Sequence, residues 1–211
     1  MSNLKTVTLM GKNDGTLAKE SKKRLITEDR FPSEKNLDLA RRGDAGAISQ
    51  IFERYYQGIY QYLCYRIGDN TTAEDLTSEV FIHMVKGLSG YRYQKDCFQG
   101  WLFSIARNIA IDHFRKNRAH PLFPLEESLR SNDDPPEKTI EKRYTSEVLK
   151  AALGKLQPDQ RDVIVLRIVV GLSLEETAQA LRKSVDAVKG LQRRALTGLN
   201  HILTQWKISY D

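Results

Sequence analysis

A set of basic and polar side chains near the carboxyl end of the chain is suited to contact nucleic acid. The stretch SLEETAQALRKSVDAVKGLQRRALTGL, from Ser173 to Leu199, predicts two helices separated by a turn of about three residues. In such a helix-turn-helix the second helix enters the major groove, where arginine pairs with guanine and lysine contacts phosphate. The residues predicted to meet duplex DNA are Arg182, Ser184, Asp186, Lys189, Gly190, Arg193 and Arg194.

Gly190 is the unusual member of this set. A glycine inside a helix costs about 1 kcal/mol relative to alanine, so a helix that only packs against its own protein does not need one. A helix pressed against a DNA backbone gains from the missing side chain. The alternative is an amphipathic hairpin whose basic face is merely solvated, and periodicity alone does not separate the two.

The elements that must position these residues are helices. Apolar residues recur at three- and four-residue steps through most of the sequence after residue 36. Gly68 is predicted to end one helix, and Thr71 with Glu74 is a capping-box pattern for the next. Ser173 with Glu176 forms a second such pattern, and Ser184 is predicted to cap the recognition helix. Pro158 fits a helix first turn and Gly171 a helix end.

The predicted fold class is therefore all-α, with two small helical domains joined by a flexible linker. Residues 1–36 are polar and are predicted to be a disordered arm, either a basic tail near nucleic acid or a solvated leader. The first domain is predicted over 37–119 and the second over 144–211. Residues 120–143 hold four of the six prolines and six acidic against four basic residues, which is typical of a linker.

Composition narrows the function classes. The chain of 211 residues has 33 basic and 27 acidic residues, a net charge of +6, which permits a polyanionic partner without proving one. Its two cysteines lack CxxC spacing, and its histidines lack metal-ligand spacing. The first residues have no apolar core long enough for a secretory leader, so we expect none, and the sequence has no run long enough to span a membrane and no phosphate-binding glycine loop. We expect a cytoplasmic protein that is not an enzyme and has no cofactor.

The order of motifs resembles the extracytoplasmic-function (ECF) group of bacterial RNA polymerase sigma factors, over roughly residues 37–206. The segments that carry the resemblance are LARRGDAGAISQIFERYYQGIYQYL, AEDLTSEVFIHMV, FQGWLFSIARNIAIDHFRKNR and LQPDQRDVIVLRIVVGLSLEETAQALRKSVDAVKGLQRRALTGL. The chain departs from the family pattern at Arg182, where glycine is common, and at Leu191, where arginine is common.

The resemblance implies that the first domain binds core RNA polymerase. The AED helix would dock on the beta-prime clamp, and the beta flap is a second implied contact of the polymerase. The residues assigned to polymerase binding are Asp75, Glu79, Val80 and Met84. A solvated acidic face is the simpler alternative for the two carboxylates.

The resemblance also implies that the loop from Gly90 to Gly100 and the following helix open the −10 element. A flipped base needs flat walls and polar edges, which aromatic and amide side chains provide. The residues assigned to this role are Tyr91, Arg92, Tyr93, Phe98, Arg107, Asn108 and Arg115. Three alternatives stay open: Trp101 belongs to the core, Phe98 is a staple beneath the loop, and Asp112 pairs with Arg115 or Lys116 on the helix.

The predicted function is that of a sigma factor, which directs core polymerase to promoters by −35 recognition and −10 melting. An anti-sigma factor is a further implied partner, and the acidic linker either enters the polymerase or is a spacer. One rival is a stand-alone helix-turn-helix regulator that binds operator DNA as a dimer. A second rival is a recombinase or nuclease, for which the acidic residues of the first domain lack ligand spacing.

Overall fold

The computed structural model describes residues 32–92, 98–116 and 147–208, and these residues form helices joined by turns, without strands. The all-α fold class is confirmed. We label the elements in chain order: α1 Glu34–Arg41, α2 Ala45–Ile67, α3 Asn70–Gly87 with a 3₁₀ turn Leu88–Gly90, α4 Phe98–Lys116, α5 147–154, α6 Pro158–Ile164 with a π-helical turn Val165–Val170, α7 Leu174–Leu181, and α8 Val185–Ile208.

Most helix ends follow local side-chain chemistry. Gly68 ends α2 in the left-handed conformation at φ 91°, and Gly171 ends the π-helical turn at φ 84°. The capping box of Ser173 and Glu176 is present at the start of α7. Pro158 occupies the first turn of α6 as predicted.

The predicted capping box at Thr71 is wrong. Helix α3 begins at Asn70, and its cap is Asp69, whose Oδ2 accepts a hydrogen bond from the backbone N–H of Thr72 at 2.7 Å. Asp69 lies just after the glycine that ends α2, so its carboxylate reaches the first turn before a threonine hydroxyl does. The first helix also begins earlier than expected, at Glu34, because Ser33 caps it.

The helices form two modules. The amino-terminal module, α1–α4, packs around α2, whose buried face includes Ile51, Tyr55 and Ile59. In the carboxyl-terminal module, α5–α8, the core includes Val163 and Leu166 of the α6 segment and Val188 and Ala195 of α8, and α6 contacts α8. Most of the predicted arm and all of the predicted linker, 120–143, lie outside the described residues.

The two modules pack directly against each other, an arrangement that the sequence did not indicate. Helix α4 lies along α7, and the π-helical turn contacts α2, so buried side chains of both modules form one continuous core. One close approach is at Gly100 of α4. A Cβ there would lie 2.3 Å from Gln179 Oε1 and 2.9 Å from the carbonyl oxygen of Glu176, both on α7.

Candidate nucleic-acid interface

The predicted recognition helix, α8, presents an exposed basic face. The turn before it places Arg182 in the left-handed region at φ 53°, where glycine is the usual residue. Ser184 caps the helix as predicted: its Oγ accepts a hydrogen bond from the N–H of Ala187 at 3.2 Å. The members of the predicted set with exposed side chains are Arg182, Ser184, Asp186, Lys189, Arg193 and Arg194.

Electrostatics on this face are only partly neutralised within the protein. Lys189 Nζ lies 3.2 Å from Asp186 Oδ1, and both side chains are largely exposed, so this pair is weak and exchanges readily with a phosphate. Arg193 and Arg194 lie one turn further along α8 and point to solvent. The face is therefore suited to bind a polyanion.

No packing contact explains Gly190. A Cβ at this position would approach only Arg194 Nη1, at 3.5 Å, which is ordinary van der Waals contact with the end of a mobile side chain. The fold therefore has room for a side chain that the sequence omits. This observation supports the interpretation that Gly190 faces a partner that approaches the helix backbone.

The first prediction concerns this glycine. Gly190→Ala should raise the free energy of unfolding by about 1 kcal/mol, because alanine loses less backbone entropy in a helix. The same change should lower promoter affinity, because the new methyl group would lie on the surface predicted to face DNA. Urea unfolding and promoter titration of the holoenzyme measure the two effects. A gain in both quantities would contradict the interpretation.

A second surface lies where α3, the 3₁₀ turn and α4 meet. They enclose an open groove of about 510 Å³, which we call the α3–α4 groove. Asn108 lies exposed along it, and the half-buried Trp101 and Ile105 supply flat apolar surface. Its lining consists of His83, Gly87, Gly90, Tyr91, Trp101, Ile105, Asn108, Ile109 and Asp112.

The aromatic residues predicted to capture a base differ in how far their side chains are exposed. Phe98 is 2% exposed and belongs to the core of the module, so it offers no face to a base. Tyr91 is 9% exposed and packs on Phe98 edge to face, with ring centroids 5.5 Å apart. Trp101 contacts both rings and is only half buried, so it is the aromatic face that the groove offers. Tyr93 lies outside the described residues, and Arg92 is exposed.

Arg41 of α1 fixes the wall of this groove. Its guanidinium donates hydrogen bonds to the carbonyl oxygens of Leu88, at 3.2 Å, and of Tyr91, and it pairs with Asp38 at 2.7 Å. These bonds hold the backbone that leads from α3 into the loop. The sequence analysis missed Arg41, since its partners are backbone atoms about fifty positions away.

The predicted phosphate contacts on α4 are engaged within the protein. Arg115 Nη2 pairs with Asp112 Oδ1 at 3.1 Å, the helical pairing weighed as an alternative, but both side chains remain largely exposed. Arg107 is mostly buried and pairs with two residues of α6: Asp159 at 3.0 Å and Asp162 at 3.3 Å. In this conformation Arg107 contacts the other module rather than solvent.

Asp162 is the centre of a buried polar network between the modules. Its carboxylate is 1% exposed, accepts a hydrogen bond from the Tyr62 hydroxyl at 3.1 Å and lies 3.0 Å from Arg66 Nε. Burial raises the pKa of this carboxyl, against the opposing effect of the two guanidinium groups and the tyrosine hydroxyl. At the rim of the network, Lys183 Nζ lies 2.9 Å from Asp159.

The exposed face of α3 is a third candidate surface. Asp75 and Glu79 are exposed as a docking role requires, but Val80 and Met84 are fully buried in the module core. Their assignment to polymerase binding is corrected, because they follow the core-facing row of the helix. Two apolar residues that the sequence analysis missed, Ile82 and Val85, are 53% and 41% exposed beside the acidic pair.

The described parts of the chain contain no group of three or more His, Cys, Asp or Glu side chains arranged to hold a metal ion. Within them, no helix has the length and apolarity needed to cross a membrane.

Comparison with known proteins gives two family matches. The family described as sigma-70 region 2 matches residues 51–120, and the family described as sigma-70, region 4 matches residues 152–201. The first match covers α4 and most of α2 together with α3, and the second covers α6–α7 and most of α8. The three candidate surfaces therefore lie within the matched segments.

Two similar proteins are both named ECF RNA polymerase sigma factors. The ECF RNA polymerase sigma factor SigX of Bacillus subtilis is 36% identical over 153 residues, which cover 69% of this chain and 78% of SigX. The ECF RNA polymerase sigma factor BldN of Streptomyces coelicolor is 35% identical over 169 residues, 79% of this chain and 64% of BldN.

One solved structure supports the fold. CnrH, solved in complex with the cytosolic domain of CnrY, superposes with a TM-score of 0.63 at 24% identity, over 84% of this chain and 97% of CnrH. The family matches, together with the similarity to SigX and BldN, establish that this chain belongs to the ECF group of RNA polymerase sigma factors, the subunits that direct the polymerase to promoters.

Proposed function

We propose that three surfaces of this sigma factor divide the work of promoter recognition. The exposed face of α3 docks on the beta-prime clamp of core polymerase, the α3–α4 groove captures an unpaired base of the −10 element, and the basic face of α8 reads the −35 duplex. The observation that carries the proposal is that each surface holds solvent-accessible polar groups that the fold itself does not require.

The docking role of α3 follows from its mixed chemistry. Asp75 and Glu79 supply two carboxylates, and Ile82 and Val85 supply apolar area one and two turns further along the helix. A partner helix with basic and apolar residues would match this arrangement, with the charges guiding orientation and the apolar pair supplying affinity. Val80 and Met84 act only by holding the helix in place.

The role of the α3–α4 groove follows from Trp101 and Asn108. An indole face accepts a base by stacking, which is worth roughly 1–3 kcal/mol per base. The amide of Asn108 offers both a donor and an acceptor to the edge of the same base. Arg92 and Arg115, both exposed, are suited to hold the phosphates of the displaced strand.

The protein acts by binding and carries no chemistry of its own. Promoter opening is driven by the affinity of the groove for an unpaired base, and no bond is broken. We place this activity in the bacterial cytoplasm, with the polymerase. An anti-sigma factor is a proposed regulatory partner, since RpoE of Bartonella quintana, whose structure superposes with a TM-score of 0.60 at 20% identity, was solved with the anti-sigma factor NepR.

The direct test is transcription in vitro. Core polymerase is incubated with genomic DNA, with and without the purified chain, and the 5′ ends of the transcripts are sequenced. We expect a defined set of start sites that appears only with the chain and shares two upstream elements. Transcripts that are the same in both samples would overturn the proposal.

The second prediction tests the groove at such a start site. Asn108→Ala should lower the yield of open complexes about tenfold, because losing base-edge contacts costs about 1–3 kcal/mol. Fluorescence of 2-aminopurine placed in the −10 element reports opening, and binding to core polymerase should not change. Asn200→Ala, an exposed asparagine on α8, is the matched control. Normal opening by Asn108→Ala would place base capture elsewhere.

A further inference from the structure

We propose that Asp186 of α8, with Lys189 beside it, selects a C·G base pair in the −35 element, a role that rests on the proposed function of α8. The arginine and lysine side chains of this face attract any DNA sequence through their charge. A carboxylate among them is repelled by every phosphate, so its presence on this face needs a different explanation.

Asp186 occupies the part of α8 from which a recognition helix reads bases. It is the second of the 24 residues of α8 and the only acidic one. Gly190 and Arg193 follow at steps of four and three residues, so the three positions lie in one row along the helix. The first residues of a recognition helix contact base edges in the major groove. The carboxylate therefore lies among the groups that would meet the bases.

The fold itself makes little use of this carboxylate. The Asp186 side chain is 91% exposed, and its ion pair with Lys189 Nζ joins two largely exposed groups, so the pair adds little stability. An acidic residue in the first turn also interacts favourably with the helix dipole, a small effect that salt screens. On a DNA-facing surface the same charge lowers affinity unless the carboxylate accepts a hydrogen bond from a base.

The chemistry of the base edges determines which base satisfies it. An ionised carboxylate only accepts hydrogen bonds, so the O6 and N7 atoms of guanine and the O4 atom of thymine repel it. Cytosine presents its N4 amine as a donor in the major groove. Adenine presents an N6 amine too, but acceptors lie on both sides of it, N7 on the same base and O4 on the paired thymine. A carboxylate therefore favours cytosine.

Lys189 makes the match specific for the whole base pair. Its ammonium lies 3.2 Å from Asp186 Oδ1, so an acceptor and a donor lie side by side on the helix. In a C·G pair the N4 amine of cytosine lies beside the O6 acceptor of guanine, with N7 as a further acceptor. Each group of the Asp186–Lys189 pair then meets its complement without the two separating. At any other base pair the carboxylate faces at least one acceptor.

Gly190 allows the short aspartate side chain to reach a base. Reading a base with a side chain of this length requires the helix backbone to come close to the floor of the groove. Gly190 lies one turn after Asp186 in the same row, and a Cβ there would approach only Arg194 Nη1, at 3.5 Å. The row is therefore open between Asp186 and Arg193, and α8 is able to approach the duplex closely at this point.

The experiment measures base preference at every position of the −35 element. Core polymerase carrying the chain is titrated with promoter DNAs that differ from a mapped promoter by one −35 base pair at a time. We expect one position at which C·G, on one strand, binds about tenfold more tightly than the other three pairs, as a good specific contact does. A −35 element with no such position would overturn the proposal.

Two substitutions test whether the carboxylate sets that preference. Asp186→Ala should reduce the preference to about twofold or less at this position alone, because Lys189 is then the remaining contact with the pair. It should also raise affinity for DNAs that carry another pair there, since a repelled charge is gone. Asp186→Asn should change the preferred base at the same position from cytosine to adenine, because an amide pairs with the N6 and N7 atoms of adenine.

Glu175→Gln is the matched control, since Glu175 is an exposed acidic residue in the first turn of α7. It should leave every base preference unchanged. The proposal fails if Asp186→Ala keeps the native preferences, or if it lowers affinity equally for all four base pairs, as a merely structural role would. If removal of Arg193 and Arg194 also left promoter binding unchanged, the proposed pose of α8 would fail as well.

Discussion

Reversal of the two charges on α3, by Asp75→Lys together with Glu79→Lys, should weaken binding to core polymerase by about a hundredfold or more. Placing like charges against a docking partner costs several kcal/mol, and about 1.4 kcal/mol corresponds to each factor of ten. Both side chains are exposed, so the module should fold as before. Titration of labelled core polymerase measures the loss.

Two further pairs of variants test whether the loss of binding is specific to the charges on α3. The neutral pair Asp75→Asn with Glu79→Gln should fall between the native chain and the reversal. The control pair Glu147→Lys with Glu175→Lys changes the same net charge on exposed positions of the carboxyl-terminal module and should bind normally. Equal loss in the control pair would mean that net charge, not the face of α3, sets the affinity.

Removal of both arginines of α8, by Arg193→Ala together with Arg194→Ala, should lower promoter affinity of the holoenzyme by about a hundredfold. Each contact with a base edge or phosphate is worth about 1–3 kcal/mol. The slope of log affinity against log salt should also fall by about two, since two fewer counterions are released. Promoter titrations at several salt concentrations give both numbers.

The control for this pair is Arg42→Ala with Lys155→Ala, which removes two exposed basic residues from outside the three surfaces. It should keep the affinity and the salt slope near those of the native chain. Core polymerase binding serves as a second check, because α8 takes no part in the proposed docking. A salt slope that did not change in the arginine variant would rule out the proposed pose of α8.

The features that the sequence predicted well are those set by neighbouring residues. The caps at Ser173 and Ser184 and the ends at Gly68 and Gly171 depend on side chains within a few positions of each other. The error at Thr71 has the same origin, since Asp69 competes for the same N–H groups and lies better placed. Helical periodicity was sufficient for the fold class.

The candidate sites were predicted less completely, because burial depends on distant parts of the chain. Val80 and Met84 lie beside Glu79 in sequence, yet they belong to the buried row of α3. Their burial depends on how α3 packs between α2 and α4. Likewise, the buried rings of Tyr91 and Phe98 pack beneath Trp101 and do not form a pocket of their own.

The contact between the modules could not be predicted from any pattern of neighbouring residues. Tyr62 and Asp162 are 100 positions apart, and each alone is unremarkable in its helix. Their pairing is set by the fit of α4 against α7, in which Gly100 allows the close approach. Neither the charge count nor the proline-rich segment indicates that two separable modules would share a core.

The backbone at Arg182 has a consequence for how this protein would adapt to heat. A non-glycine residue held at φ 53° carries strain of about 1–2 kcal/mol. A population selected for growth at rising temperature would gain most simply by acquiring glycine there. In the proposed pose of α8 that change would also remove one cation from the DNA-facing surface, so thermal stability and promoter affinity would be gained and lost together at this position.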